Sequence, residues 1–278
     1  MKKIAVYNIK GGDGKTTTAK TIAVGLAQRG NKVLLCDADG QANTSKTFVD
    51  QKTEHDLSVY DNLSTKSCET KFINKYINQN HGRTISEVFE NPKIIKETIH
   101  KTNYENLDVL PSDLTLYLTD TTLRLQDGAR ENKIQRATNF IKNDYDYMIF
   151  DCSPVKSLVS VNVLYTEPLV IIPVSPFDDS MQGLALTINE INQMMKLYEE
   201  LEIEYRILIV KHRNINECKD NEMEIRAAFG DKVLKTVIGN QAKPIEKAAK
   251  DRKTIFDLSP SKVAMDYQSL IDEIEELI

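Results

Sequence analysis

The chain has 278 residues, of which 41% are hydrophobic, and a formal net charge of −5. This length allows a large buried core, and the acidic balance excludes a basic coat over the whole surface but not a local basic patch. No apolar run approaches the roughly 20 residues of a membrane span, and the chain opens on a strand pattern rather than a signal peptide. The cysteines lack any C-x-x-C pair, so we expect reduced thiols at all four: Cys36, Cys68, Cys152 and Cys218.

The first predicted strand starts at Ile4 and stops at a glycine-rich turn, where a helical pattern begins at once. Gly11, Gly12 and Gly14 can adopt positive φ and lack a Cβ, so their N–H groups can converge on phosphate oxygens. The helix that follows directs unpaired N–H groups and its positive dipole end at the same anion. Its apolar positions recur at the spacing of one buried helix face: Ala19, Ile22, Ala23, Leu26 and Ala27.

We call residues 10–17 the phosphate loop. Within it, Lys15 would add positive charge at the β- and γ-phosphates, and the Thr16 hydroxyl is placed to bind Mg²⁺. A nucleotide site is predicted by this succession of a strand, a glycine loop, Gly-Lys-Thr and a helix. The structural alternative is a tight turn that contains an incidental lysine. The predicted nucleotide contacts are Gly11, Gly12, Asp13, Gly14, Lys15, Thr16 and Thr17.

Further strands are predicted at residues 32–37, 106–110, 146–151, 168–174, 206–210 and 233–238, with helical patterns between them. Several are continuous apolar runs, as expected for strands buried on both faces. The alternation predicts an α/β fold, a doubly wound and mainly parallel sheet with its ligand at the carboxyl ends of the strands. We expect one domain over residues 1–278, with a polar insertion at about 50–82 and a C-terminal helix at about 261–278.

Two of the predicted strands end in carboxylates. Asp37 and Asp39 end the second strand, and Asp151 ends the strand at residues 146–151. An apolar strand ending in aspartate is the second half of a nucleotide-site signature, in which the carboxylate holds Mg²⁺, often through water. An Asx turn would be the structural alternative for the first pair, and a helix cap the alternative for Asp151. Cys152 is predicted to be a small buried residue.

The phosphate loop begins with an additional lysine. Its sequence from Lys10 to Thr17, Lys-Gly-Gly-Asp-Gly-Lys-Thr-Thr, resembles the deviant phosphate loop of the ParA/MinD group of ATPases. In that family the extra lysine reaches the phosphates held by a second subunit, so the resemblance implies this role for Lys10 and a sandwich dimer on ATP. Asp13 replaces the usual small apolar residue, and its carboxylate would repel a triphosphate unless it pointed to solvent. The run that starts at Asp151 looks like the family's Asp-x-x-Pro.

We call residues 37–43 the switch segment. Its sequence, Asp-Ala-Asp-Gly-Gln-Ala-Asn, is similar to the family's Asp-x-Asp-Pro-Gln-Gly-Asn, with Gly40 in place of proline and Ala42 in place of glycine. The resemblance implies that Asp39 orients or polarises the attacking water. It also implies that Asp37 lies near Mg²⁺, in its outer shell.

Two basic segments follow the last two predicted strands. Related partition ATPases place DNA-contacting residues there, which implies four DNA contacts: Arg213, Lys243, Lys247 and Lys250. Such a cluster would bind a phosphate backbone without sequence preference and with strong salt dependence, whereas a solvated charged face is the alternative. Asn214 and Pro244 are the candidates for the base pocket.

The resemblance as a whole implies a DNA partition ATPase of the short form, without an N-terminal helix-turn-helix. Its implied properties are Mg²⁺-dependent ATP hydrolysis, a homodimer on ATP, non-specific DNA binding, stimulation by a ParB-like centromere-binding partner, and a cytoplasmic, nucleoid-associated location. A MinD-like regulator is one alternative, but the acidic C-terminal tail would be repelled by anionic lipid. A metabolic phosphate-loop enzyme acting on a small substrate is the other.

Overall fold

The computed structural model describes residues 1–49, 82–126, 128, 130–258 and 260–278. Within these ranges an eight-stranded, mainly parallel sheet is flanked by helices, and the predicted fold class is confirmed. The polar insertion expected at residues 50–82 falls, apart from Gly82, outside the described residues. The same holds for Cys68, whereas Cys36, Cys152 and Cys218 are buried and form no disulfide.

The strands are β1 (Lys2–Val6), β2 (Val33–Ala38), β3 (His100–Lys101), β4 (Leu107–Leu110), β5 (Tyr147–Cys152), β6 (Leu169–Val174), β7 (Tyr205–His212) and β8 (Val233–Gly239). Their order across the sheet is β3-β4-β2-β5-β1-β6-β7-β8. The neighbouring pairs are parallel except for β3 and β4. Because β1 lies between β5 and β6, and β5 lies beside β2, the loops after β1, β2 and β5 meet at one edge of the sheet.

Two features of the strands differ from the sequence-based expectation. The two-residue strand β3 was not predicted, since two residues carry no detectable periodicity; it pairs antiparallel with β4 and covers its outer edge. Strand β7 extends to His212 rather than ending at Val210, so Lys211 belongs to the strand and not to the loop after it.

The helices are α1 (Lys15–Gln28), α2 (Ser45–Phe48), α3 (Ile85–Glu90), α4 (Ile95–Thr98), α5 (Thr115–Leu125), α6 (Lys133–Thr138), α7 (Leu158–Leu164), α8 (Asp178–Leu197), α9 (Asn216–Phe229), α10 (Ala242–Lys250) and α11 (Lys262–Leu277). They divide the core in two, because successive strand side chains point to opposite faces of the sheet. Ile4 and Val6 of β1 belong to the half formed with α1 and α11. Ala5 and Tyr7 belong to the half formed with α7 and α8.

The C-terminal helix α11 packs on the core beside α1. Its apolar face is buried through Val263, Tyr267, Leu270, Ile271 and Ile274. On its acidic side, Asp272 lies 2.6 Å from Arg29, which also pairs with Glu275. None of the helices in the described part of the chain is long and apolar enough to cross a membrane.

Candidate nucleotide site

The phosphate loop connects β1 to α1 at the carboxyl edge of the sheet. Gly12 and Gly14 have positive φ, +89° and +77°. No described residue places an atom within 4 Å of where a Cβ would lie at either glycine or at Gly11. Helix α1 starts at Lys15 without a side-chain cap and without an acidic residue in its first turn. Open space in the loop and uncapped N–H groups together make a cradle that fits a phosphate.

Lys15 lies across this cradle. Its side chain is 6% exposed, and its Nζ donates to the carbonyl oxygen of Lys10 at 2.7 Å. Burial lowers the pKa of Lys15, an effect opposed by the charges of Asp151 and Asp13. Because a buried ammonium gains from a nearby negative charge, Lys15 is positioned to pair with a phosphate in the cradle.

Asp151, at the end of β5, faces the first turn of α1. Thr16 Oγ1 donates to Asp151 Oδ1 at 3.2 Å, and Thr44 Oγ1 donates to Oδ2 at 2.7 Å. Burial raises the pKa of Asp151, and the two hydroxyl donors oppose the shift. The described residues contain no group of three or more His, Cys, Asp or Glu that could hold a metal ion alone. A single hydroxyl and carboxylate suit Mg²⁺, which keeps water and phosphate oxygens among its ligands.

Asp37 is buried near the end of β2. Ser45 donates to Asp37 Oδ2 from its backbone N–H at 2.8 Å and from its hydroxyl at 2.7 Å, and the Asp39 N–H donates to Oδ1 at 3.2 Å. Burial and the neighbouring charge of Asp151 raise the pKa of Asp37. Protein donors bind both carboxylate oxygens of Asp37, which fits the outer-shell position that the resemblance implies. The buried Lys20 of α1 offsets part of this negative charge.

The switch segment forms a tight turn after β2. The Gln41 N–H donates to Asp39 Oδ1 at 2.9 Å, and the Ala42 N–H donates to the Asp39 carbonyl at 2.9 Å. The Asx turn considered as the alternative is thus present, and it holds the Asp39 carboxylate at the edge of the nucleotide site. Ala42 has φ +53°, a conformation that favours glycine.

Asp13 does not point to solvent, so the structure does not meet the condition under which its carboxylate would avoid repelling a triphosphate. Its side chain is 3% exposed. Oδ1 accepts from the hydroxyl of Ser175 and from Ser180 Oγ at 3.0 Å, and Oδ2 accepts from Asn8 Nδ2 at 3.4 Å. Ser180 lies in the first turn of α8, whose dipole favours an anion. These donors turn the carboxylate toward β6 and α8 and hold it there.

Lys10 lies at the outer side of the phosphate loop, with 37% of its side chain exposed. Its Nζ is 3.8 Å from Asp179 Oδ2, and Asp179 is itself largely exposed. An exposed ion pair of this kind contributes little stability, so the ammonium can turn outward at small cost. Its stem passes over Gly183, where an added Cβ would come within 2.5 Å of Lys10 Cβ.

One face of α8 contacts the segment directly after β1 and the phosphate loop at four successive positions. They are spaced three and four residues apart, so they lie on the same side of the helix. The pairs are Ser180 with Asp13 (3.0 Å), Gly183 with Lys10, Thr187 Oγ1 with Asn8 Oδ1 (3.0 Å) and Glu190 Oε2 with Tyr7 Oη (2.9 Å).

Sequence reasoning missed several of these residues. Lys211, whose backbone has φ +55°, donates from Nζ to the Gly12 carbonyl at 2.5 Å; no motif marks it, because the contact joins residues 199 positions apart. Thr44 and Ser45 directly follow the switch segment. Hydroxyl residues beside an acidic strand end could have been predicted to donate to its carboxylates.

The two basic segments meet beside β7 and β8. The Asn240 N–H donates to the His212 carbonyl at 2.9 Å. With its amide oxygen facing Arg213, Asn240 accepts from Nε at 2.7 Å and from Nη2 at 3.1 Å. The Arg213 guanidinium also lies 5.7 Å from the centre of the Phe177 ring. Arg213 is therefore held between the two segments, and the residue remains exposed to solvent.

Helix α10 extends this basic region with three exposed lysines: Lys243, Lys247 and Lys250. Asn214 is exposed just after β7, and Pro244 is half-buried in α10. In the described part of the chain, no hydrogen bond links either of these two residues to the phosphate loop.

Thr17 is half-buried in α1, and its carbonyl accepts from Thr21 Oγ1 at 2.6 Å.

Comparisons with known proteins point to one group. Residues 1–203 match the family described as an AAA domain. The chain is 30% identical over 274 residues to the sporulation initiation inhibitor protein Soj of Bacillus subtilis, covering 98% of each chain. It is 29% identical over 241 residues to the chromosome partitioning protein ParA of Caulobacter vibrioides, covering 86% of this chain and 80% of that one.

Solved structures share the fold. A protein of Borrelia burgdorferi assigned to plasmid partition and solved with AMPPNP superposes with a TM-score of 0.75. The two chains are 23% identical, and the match covers 100% of this chain and 99% of that one.

Proposed function

We propose that this chain, which belongs to the AAA-domain family and to its ParA/MinD group of ATPases, is a DNA partition ATPase. In this proposal a single domain binds ATP and Mg²⁺, closes into a homodimer, binds DNA without sequence preference, and hydrolyses ATP slowly. A ParB-like centromere-binding protein stimulates hydrolysis, and the cycle takes place in the cytoplasm on the nucleoid. The similarity to Soj and ParA over most of the chain supports the proposal.

The phosphate loop is the proposed triphosphate site. Phosphate oxygens would bind to the N–H groups of Gly11, Gly12 and Gly14 and of the first turn of α1. The Lys15 ammonium would give up its hydrogen bond to the Lys10 carbonyl and bind a phosphate instead. Thr16 and Asp151 would hold Mg²⁺. When bound, that ion neutralises charge on the β- and γ-phosphates.

Asp39 is the proposed water-orienting residue. Its Oδ1 is fixed by the Gln41 N–H at 2.9 Å, so the carboxylate has a defined direction. Asp37 supports it, because Asp37 Oδ1 accepts from the Asp39 N–H. Holding a water in line with the γ-phosphate is a recognised contribution of a side chain to this kind of hydrolysis.

The exposure of Lys10 is the observation that carries the dimer proposal. A lysine inside the loop that served only its own nucleotide would be buried, as Lys15 is. Lys10 instead lies at the surface in a weak ion pair with Asp179, from which a phosphate on a second copy could displace it. ATP would then favour the dimer by its higher affinity for that state, and hydrolysis would reset the equilibrium.

The proposed DNA surface consists of Arg213, Lys243, Lys247 and Lys250. The contact of Arg213 with Asn240 supports treating the two basic segments as one surface, since it ties the end of β7 to the end of β8. Exposed cations on adjacent elements can follow a phosphate backbone. The packed, acidic helix α11 offers no comparable surface to anionic lipid.

Sedimentation with a non-hydrolysable ATP analogue, Mg²⁺ and duplex DNA at two salt concentrations tests the proposal. We expect a dimer with the analogue, a monomer for Lys10→Ala, and DNA binding that weakens as salt rises. Arg213→Glu with Lys243→Glu should dimerise but lose DNA, whereas the exposed control pair Lys93→Glu and Lys142→Glu should retain it. A wild-type chain that stays monomeric when saturated with the analogue would refute the dimer.

A further inference from the structure

We propose that Tyr117 is a positioning residue for ATP hydrolysis, which acts by holding the switch segment so that Asp39 faces the reacting water. This inference rests on the role proposed above for Asp39. It assigns to α5, which supplies no residue to the phosphate loop, a direct part in the turnover of the site. Two independent contacts carry it.

The first contact is between the Tyr117 ring and Gly40. A Cβ built on Gly40 would lie 2.7 to 2.9 Å from three atoms of the ring. The ring therefore occupies the space that any other side chain at position 40 would take. Gly40 does not have a positive φ, so here glycine is required by the neighbouring ring and not by the backbone conformation.

The second contact is between Tyr117 and Gln41. Gln41 Nε2 donates to Tyr117 Oη at 2.8 Å, and the backbone N–H of the same glutamine donates to Asp39 Oδ1 at 2.9 Å. Tyr117 thus holds the residue that holds the catalytic carboxylate. A shift of the phenol would move Gln41, and Gln41 would take the Asp39 oxygen with it.

The switch segment needs such an external support. Gly40 is the most flexible residue type, and Ala42 is held at φ +53°, which costs energy for a residue with a Cβ. Hydrogen bonds within the segment close its turn, and the contact between Gln41 and Tyr117 supports that turn from outside. Tyr117 is 43% exposed, so its ring adds little to the hydrophobic core, and its contacts serve the segment rather than the packing of α5.

A positioning residue has a distinct kinetic signature. If Tyr117 only stabilised the fold, its removal would lower the melting temperature and leave the turnover of folded protein unchanged. If it aims Asp39, its removal lowers kcat while the affinity for ATP stays the same, because the phosphate loop is untouched. Misplacement of a catalytic group by about 1 Å can cost up to roughly 100-fold in rate.

The first test compares four variants by single-turnover hydrolysis and by titration with a non-hydrolysable ATP analogue. We expect Tyr117→Ala to lower the rate roughly 10- to 100-fold with unchanged analogue affinity. Tyr117→Phe, which keeps the ring over Gly40 and loses only the hydroxyl, should fall between Tyr117→Ala and wild type. Leu118→Ala, at the exposed neighbouring position on α5, is the matched control and should hydrolyse as wild type does. Asp39→Ala tests the premise.

The second test is a double-mutant cycle between positions 40 and 117. Gly40→Ala should slow hydrolysis, because the new methyl group displaces the ring and breaks its contact with Gln41. In the Tyr117→Ala background the three atoms nearest to that methyl group are gone, so Gly40→Ala should have little further effect. The double variant should therefore match Tyr117→Ala.

The outcomes separate the inference from its premise. If Asp39→Ala hydrolyses ATP at the wild-type rate, the role of Asp39 fails. If Asp39→Ala is inactive while Tyr117→Ala and Gly40→Ala keep the wild-type rate, the role of Tyr117 alone is refuted. If the double variant is slower than wild type by the product of the two single-variant rate reductions, the inference is also refuted. Such a result would mean that Gly40 and Tyr117 act independently.

Discussion

The phosphate loop and the switch segment both contain glycine, but for different physical reasons. In the phosphate loop, Gly12 and Gly14 have φ of +89° and +77° and face open space, so the backbone conformation itself requires them. In the switch segment, Gly40 has no such conformation, and it is required by the Tyr117 ring that lies against it. The position that does have positive φ there, Ala42, is not glycine.

This difference separates a loop whose glycines are required by their own backbone conformation from a segment whose glycine is required by a side chain of a distant element. The phosphate loop takes its turn from the positive φ of its own glycines and from the start of α1, and Ser175, Ser180 and Lys211 add contacts from outside it. The switch segment is held by a tyrosine 76 residues from Gln41 along the chain. Changes in the first should therefore affect binding, and changes in the second should affect turnover.

Lys15→Ala should produce the largest effect and tests this division most directly. Loss of the buried cation should weaken ATP binding by roughly 100-fold or more, measured by titration with a fluorescent ATP analogue. Asp39→Ala is the matched change in the switch segment and should bind the analogue as wild type does. Equal losses of affinity in the two variants would contradict a division between binding and turnover.

Asp13→Ala would sharpen the comparison by testing how independent the phosphate loop is. The change removes the carboxylate oxygen that accepts hydrogen bonds from the buried hydroxyls of Ser175 and Ser180. We expect a loss of about 1–3 kcal/mol in the free energy of unfolding, measured with urea. Asp220→Ala, on the exposed side of α9, is the control and should change stability by less than about 0.5 kcal/mol. Unchanged stability in Asp13→Ala would mean that the loop needs no support from α8.

Ala42→Gly should produce the smallest effect. Glycine adopts φ +53° without the Cβ clash, so the free energy of unfolding should rise by up to about 1 kcal/mol. Ala185→Gly, at an exposed helical position of α8, is the matched control, and there the same substitution should destabilise by about 1 kcal/mol. The two changes should shift the melting temperature in opposite directions; a loss of stability in both would show that Ala42 is not strained.

The parts of the molecule that were predictable from the sequence are those set by local pattern. Continuous apolar runs predicted the buried strands, and a strand followed by glycines and a helix predicted the phosphate loop. Asp37, Asp39 and Asp151 were located because strand ends meet at one edge of a parallel sheet. The roles of these residues remain predictions.

The parts that were not predictable depend on contacts between distant positions. Asp13 meets Ser175 and Ser180 across 162 and 167 residues, and Lys211 meets Gly12 across 199. Such pairs leave no periodicity in the sequence, and each residue alone is typical of a solvated surface. The burial of Asp13 could not be predicted, because its partners Ser175 and Ser180 lie directly after β6 and in α8.

The four contacts along α8 have a mechanical consequence. A helix of 20 residues is about 30 Å long, and its residues from Ser180 to Glu190 contact the segment, Tyr7 to Asp13, that would lie beside a triphosphate. Because these contacts join the two, we expect a displacement of that loop to move the helix. The end of the helix at Leu197 lies on the surface, so such a movement would change an exposed face of the molecule.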